Sequence, residues 1–166
     1  MASVIHQSIQ ELDQIHRQLE ELFYRHQVAI LQGQYEKAGE LLEKYGVALF
    51  RHMQEEDEIL LPLYREQREE LRGGDPDIFT SEHQKIAEWV NRIKVRLERL
   101  IPGLPDPKAV LALLDDEAHC KKFLEHHTLR EDRIFYPELD RMLEEKNKQS
   151  VLRLLTFSLE EMSDSE

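Results

Sequence analysis

Leu49-Phe50-Arg51-His52-Met53-Gln54-Glu55-Glu56-Asp57-Glu58-Ile59-Leu60-Leu61-Pro62-Leu63 is the stretch on which the reading of this chain turns. At about 100° per residue, Leu49, Ile59 and Leu63 share an apolar stripe, and His52 and Glu56 fill the gap between Leu49 and Ile59. A helix that buries this face carries an imidazole and a carboxylate inward, one turn apart. A buried carboxylate without a partner is costly, so something else in the molecule must compensate it.

The same test applied outward finds helical periodicity almost everywhere and no alternating strand pattern. A first helix runs from about Val4 to Leu31, ends near Gly33, and places His16 between Leu12 and Leu19. The second starts near Glu36, carries Ala38, Leu41, Tyr45 and Ala48 into the stretch quoted above, and fades into a charged run broken at Gly73-Gly74-Asp75-Pro76. A third opens near Thr80 or Ser81 as a cap, shows Ile86, Val90, Ile93 and Leu97, and sets His83 between Phe79 and Ile86. Pro102-Gly103, Pro105 and Pro107 separate it from a fourth, roughly Asp106 to Glu145, where His127 and Glu131 fill the gap between Leu124 and Ile134. Ser150 to Met162 reads as a short fifth helix. The prediction is an all-α, up-down-up-down four-helix bundle with that short C-terminal helix, one domain over residues 1–162 with a frayed acidic tail at 163–166.

The composition bounds the function. The 166 residues suffice for one domain with its own core. A formal charge of −12 argues against nucleic acid and anionic membrane surfaces as partners, because phosphates are repelled. No apolar run approaches a membrane span, and the start lacks a basic region followed by an apolar one, so a cytoplasmic protein is expected. The single cysteine, Cys120, can make neither an internal disulfide nor a thiolate metal site, and reads as a small core residue. Tyr24, Tyr35 and Tyr136 read as boundary aromatics. Trp89, off the His83 stripe, is expected against the fifth helix or a partner subunit.

The levels of the inward polar residues can also be compared. Counted from the Gly33 turn, His16 and His52 lie at similar heights; counted from the Pro102–Pro107 turn, so do His83 and His127. His52 is farther than His83 from the Gly73 turn, so part of the segment from about Tyr64 to Phe79 is expected to overhang, with Pro62 starting the departure. Four imidazoles and two carboxylates then meet at one level, and a metal centre supplies the missing positive charge. Imidazole suits iron, and carboxylates bring two cations close together.

The segments His52–Pro62 and His127–Pro137 share His, an acid four later, an apolar pair, and Pro ten after the His. This pattern resembles the repeated HxxxE…P element of hemerythrin-like (HHE cation-binding) domains. Glu82-His83 with Ile86 is similar to that family's third-helix element, and His16 to its first-helix histidine. The resemblance spans about residues 5–140. It implies two iron ions joined by an oxo or hydroxo bridge, with Glu56 and Glu131 bridging and His16, His52, His83 and His127 as terminal ligands.

The chain also departs from the pattern. Oxygen-carrying hemerythrins place another His one turn after the third-helix one, where this chain has Ala87. They use His followed by Asp five later on the fourth helix; here both Glu131 and Asp132 are offered, and periodicity favours Glu131. Asp132 points about 140° from His127, and His126 about 100° to its wrong side. Four histidines leave roughly two metal positions open. Oxygen, nitric oxide, peroxide or a further side chain is expected to fill them, with Glu20, Tyr45 and His119 as candidates and Glu20 preferred as an exposed or outer acid. The expected function is binding or sensing of oxygen, nitric oxide or iron and redox state, with a small diatomic ligand or peroxide as partner. The alternative is a di-iron enzyme acting on peroxide or nitric oxide, or assisting iron–sulfur repair, although no cysteine-bearing N-terminal domain accompanies it. A structural or decayed site is disfavoured because every proposed ligand is present. The oligomeric state is open, a dimer included.

Overall fold

A computed structural model describes residues 8–66, 75–102 and 106–155. Those residues form helices with no strands, as the periodicity requires. A single 3₁₀ turn (Ile9–Leu12) leads into α1 (Asp13–Leu31), followed by α2 (Tyr35–Glu55), α3 (Leu61–Glu66), α4 (Asp77–Glu98), α5 (Pro107–Arg130), α6 (Tyr136–Met142) and α7 (Glu145–Leu154). A π-helical turn over Glu56–Leu60 joins α2 to α3, and a second over Glu131–Phe135 joins α5 to α6. Each pair is therefore one long rod with an i→i+5 step in it: Leu61 N–H donates to Glu56 O, and Tyr136 N–H to Glu131 O. Both turns lie just before a proline, Pro62 and Pro137. A proline clashes with the carbonyl four residues back in an α-helix, and the wider turn relieves that clash.

The bundle follows from short, well-capped connections. α1 closes in a Schellman motif: Gln34 N–H donates to Ala29 O and Gly33 N–H to Ile30 O, both at 2.9 Å, with Gly33 at φ +71°. Asp106 caps α5 by accepting from Lys108 N–H at 3.1 Å, with Pro107 in the first turn. α1 packs along α2, α4 along α5, and α2 against α4. The core between them includes Leu19, Phe23, Leu49, Ile86, Val90, Ile93 and Leu113, all buried. At about 25 cal/mol per Å² of apolar surface removed from water, this burial drives the association of the rods. Among the described residues no helix is long and apolar enough to cross a membrane.

Several boundaries differ from expectation. α4 begins at Asp77, a turn before Thr80 and Ser81, because Asp75-Pro76 supplies the start; Asp75 Oδ1 accepts from Asp77 N–H at 3.1 Å. Thr80 and Ser81 are helical instead, their hydroxyls donating to Asp57 Oδ1 and to Ile78 O. The fourth rod ends at Met142, where Leu143 turns extended, and the last described helix starts at Glu145, before the expected Ser150. The expected continuation of that helix beyond residue 155, and the Gly73-Gly74 break, lie outside the described residues. The ends of the expected overhang do not overhang: Tyr64 and Phe79 are fully buried, their rings 5.0 and 5.1 Å from that of Phe135.

A second buried polar pair lies away from the His/Glu gaps. His26 Nδ1 donates to Ala38 O at 2.8 Å, and its Nε2 lies 2.9 Å from Glu117 Oε1, both side chains fully buried. Gln27 donates to the other Glu117 oxygen at 2.8 Å. Every polar atom of this pair is satisfied, and it ties α1, α2 and α5 together.

Candidate metal centre

The six residues singled out by the gaps in the apolar stripes come together. His16 arrives from α1, His52 from the last turn of α2, His83 from α4 and His127 from the last turn of α5. Glu56 and Glu131 are the first residues of the two π turns. Both glutamates are buried to 1% exposure or less, and His52, His83 and His127 to 4% or less. Donor atoms of Glu56, His83, His127 and Glu131 all lie within 4.8 Å of one another, as do those of His16, His52 and Glu56. Glu56 belongs to both clusters. Glu131 spans them as well: Oε1 is 2.9 Å from His127 Nε2, and Oε2 is 3.3 Å from His16 Nε2.

The imidazoles share one orientation. His16, His83 and His127 turn Nε2 toward the carboxylates and donate from Nδ1 to an outer acid. The acceptors are Asp132 Oδ1 at 2.8 Å, Asp57 Oδ1 at 3.0 Å and Glu82 Oε2 at 2.9 Å. Glu82 is in turn held by the Arg130 guanidinium. A carboxylate behind an imidazole fixes the ring's tautomer and orientation and raises its basicity as a ligand.

This arrangement passes the chemical test for a cation. Oε2 of Glu56 and Oε2 of Glu131 are buried without a hydrogen-bond partner, an expensive state for a carboxylate unless a positive charge sits beside it. In the metal-free chain protons supply that charge. Burial alone lowers an imidazole pKa, yet the hydrogen bond to Asp132 and the Glu131 carboxylate beside the ring push His16 up to about 10. Asp57, Glu131 and Glu56 likewise outweigh burial and push His83 up to about 12. Burial is opposed at His127 by Glu131 and Glu82, giving about 9. At His52 burial wins and the pKa falls. Burial favours the neutral acid at Glu131, but His127, His16 and His83 hold it well below the carboxylate range. Metal ions compete with those protons for the same lone pairs.

Tyr136 corrects the sequence reading. It is fully buried, not a boundary residue, and its O–H donates to Glu56 Oε1 at 2.5 Å. Burial, with the charges of Glu56 and Glu131, raises its pKa well above the usual phenol range. Tyr24, by contrast, is exposed. The three candidates for an additional ligand stand elsewhere. Glu20 is exposed and lines the rim of a cavity; Tyr45 lines the same cavity with its ring 4.9 Å from that of Phe23. His119 is exposed, donates to Asp115 O at 2.7 Å and stacks on Trp89 at 6.1 Å, so it takes no part in the centre. Trp89 packs there, beneath the Arg92 guanidinium at 5.2 Å. His126 is exposed and Cys120 buried, as the helical phase requires, with burial pushing the thiol up to about 12.

The cavity, about 650 Å³, opens between α1, α2 and α5 and reaches His16, His52, His127 and Glu131. Leu19, Phe23, Leu49, Met53 and Leu124 make its apolar walls, and Arg17, Glu20, Lys121 and Glu125 its exposed rim. The centre thus combines nitrogen and oxygen donors with access for a small molecule.

Over residues 7–139 the chain matches the sequence profile described as the Hemerythrin HHE cation binding domain. Comparison with curated proteins and with solved structures returned no match. The profile reaches all four rods and covers all six gap-filling residues, and the chain belongs to the hemerythrin HHE cation-binding family.

Proposed function

We propose that this chain holds a non-haem di-iron centre through His16, His52, His83, His127, Glu56 and Glu131, and uses it to bind or sense oxygen, nitric oxide or redox state. The observation that carries this reading is the pair of buried Glu56 and Glu131 oxygens without hydrogen-bond partners, facing the imidazole Nε2 atoms of His16, His52 and His83 from three separate helices. Iron, when bound, supplies a Lewis acid with a one-electron couple, the chemistry that engagement of a diatomic gas requires.

The protein's own groups do the rest. Asp132, Asp57 and Glu82 aim three imidazoles and hold protons on their outer nitrogens. Glu56 and Glu131 set the spacing of the two donor clusters. The apolar walls keep bulk water from the carboxylates and leave one side approachable. The volume of that cavity, about 650 Å³, favours a second reading, in which a molecule larger than a diatomic, peroxide among them, is turned over there.

The test is to purify the chain from iron-supplemented cells and measure metal content with the visible spectrum, with and without air, azide and nitric oxide. Two irons per chain and a spectrum that changes reversibly on removal of oxygen support carriage or sensing. Consumption of added peroxide over many turnovers supports the enzyme. A chain that takes up no iron refutes both.

A further inference from the structure

The two donor clusters are unequal. Glu56, His83, His127 and Glu131 make a set of four, whereas His16, His52 and Glu56 make a set of three. The oxygen of Tyr136 stands against every member of the smaller set. It lies 2.5 Å from Glu56 Oε1, 3.2 Å from His16 Nε2 and 3.4 Å from His52 Nε2. The Tyr64 hydroxyl, by contrast, donates to Glu138.

The position is built into the fold. Tyr136 is the residue that closes the second π turn, its N–H bonded to Glu131 O. An i→i+5 turn sets Tyr136 about one turn beyond Glu131 on the same face, where an α-helix would have swung it about 140° away. Its ring stacks on His16 at 5.6 Å and 18°, and lies tilted 40° to that of Phe135 at 5.4 Å. Its oxygen therefore has little freedom to leave the cluster.

We propose that the Tyr136 oxygen is a protein ligand of the ion held by His16, His52 and Glu56. The proposal rests on the di-iron reading above and makes that centre unsymmetrical, with an aryl oxygen on one ion only. As the oxygen–metal bond forms, the O–H proton leaves to solvent and its hydrogen bond to Glu56 is given up. A hard oxygen donor of this kind favours the ferric over the ferrous ion.

Ferric phenolates have a broad visible charge-transfer band, and excitation into it enhances tyrosine ring modes in resonance Raman spectra. The experiment loads the full chain with ferric iron and records iron content, absorption and Raman spectra for the wild type, Tyr136→Phe and Tyr45→Phe. The expected result is tyrosine ring modes in the wild type and in Tyr45→Phe, and loss of band and modes in Tyr136→Phe, with iron held less tightly at one of its two positions. Iron bound with no ring modes in the wild type, or modes that persist in Tyr136→Phe, overturns the proposal and leaves the di-iron centre standing. No iron bound at all brings down the centre itself. Should Tyr136→Phe fail to fold, wild-type protein grown on ring-deuterated tyrosine decides: shifted modes support the ligand and unshifted ones overturn it.

Discussion

Residues His52–Pro62 and His127–Pro137 solve one problem twice, and almost in the same way. Each ends an α-helix with a histidine, starts a π turn with a buried glutamate, and follows it with an aspartate that leans out to another rod. Asp57 holds His83 of α4, and Asp132 holds His16 of α1. Each turn is succeeded by a proline. The two differ most at the residue before that proline. Leu61 closes the first turn and Tyr136 the second, both fully buried, so one contributes apolar packing where the other delivers a phenol. A repeated frame thus builds two near-equivalent halves, and one position within it makes them chemically distinct.

The sharpest way to break the comparison is to remove a bridging candidate. Glu56→Ala and Glu131→Ala should each lose most bound metal, a larger effect than the roughly 10–100-fold drop expected from an outer partner. The stabilisation that metal gives, about 2.7 kcal/mol at a hundred times its Kd, should vanish with it. Elemental analysis and thermal unfolding with added iron check this; full loading of either variant refutes the assignment of that glutamate.

Leu61→Ala tests the packing half. It should cost about 2–5 kcal/mol in urea unfolding of the metal-free chain while leaving the spectrum of the loaded protein unchanged. A changed spectrum would show that Leu61, too, shapes the centre.

Asp57→Asn and Asp132→Asn should weaken metal binding by similar factors, each within about 10–100-fold, as read by competition with a chelator. Their side chains are equally exposed, at 32% and 33%, so a large inequality would break the equivalence of the halves.

The metal-free chain has a predictable pH profile. His16, His83 and His127 bind protons more tightly folded than unfolded, so their stabilisation is complete below about 6.5 and fades as pH rises through about 9 to 12. Glu56 and Glu131 are held low, so theirs is present above about 4.5 and lost as pH falls through their depressed values. His52, lowered by burial, also favours the alkaline side of 6.5. Urea midpoints should therefore form a plateau near neutrality, and Asp132→Asn should bring the alkaline fall to lower pH. A midpoint that keeps rising to pH 11 contradicts this.

The smallest effect is expected at the prolines. If the π turns hold Pro62 and Pro137 without strain, Pro→Ala at either should destabilise by about 0.4–1 kcal/mol through the unfolded chain. A gain approaching about 3 kcal/mol would mean instead that the prolines strain an α-turn.

These turns also mark where the sequence stops being legible. The rods, their order and the six gap-filling residues could be read because apolar stripes at the α period have visible gaps. Beyond Glu56 and Glu131 that period no longer applies, and a fixed 100° step moves Tyr136 to the rim. Asp132 does point away from His127, as periodicity says, but the target it reaches is His16 on another rod, which no spacing within one helix encodes. Glu82 is hidden for the same reason: it neighbours His83 in sequence and serves His127. His26, three residues after Phe23 and four before Ile30, lies on the first stripe by the same test. Its partner Glu117 is supplied by α5.

Trp89 is the chain's only indole, and its face-to-face stack on His119 spans α4 and α5. Its emission is therefore a built-in optical gauge of whether those two rods remain zipped. It lies six residues from His83, about 9 Å along the axis, close enough for a visible-absorbing centre to drain its excited state. Dimming on metal uptake and a shift in colour on unfolding would then be separate signals from one fluorophore, with no label attached.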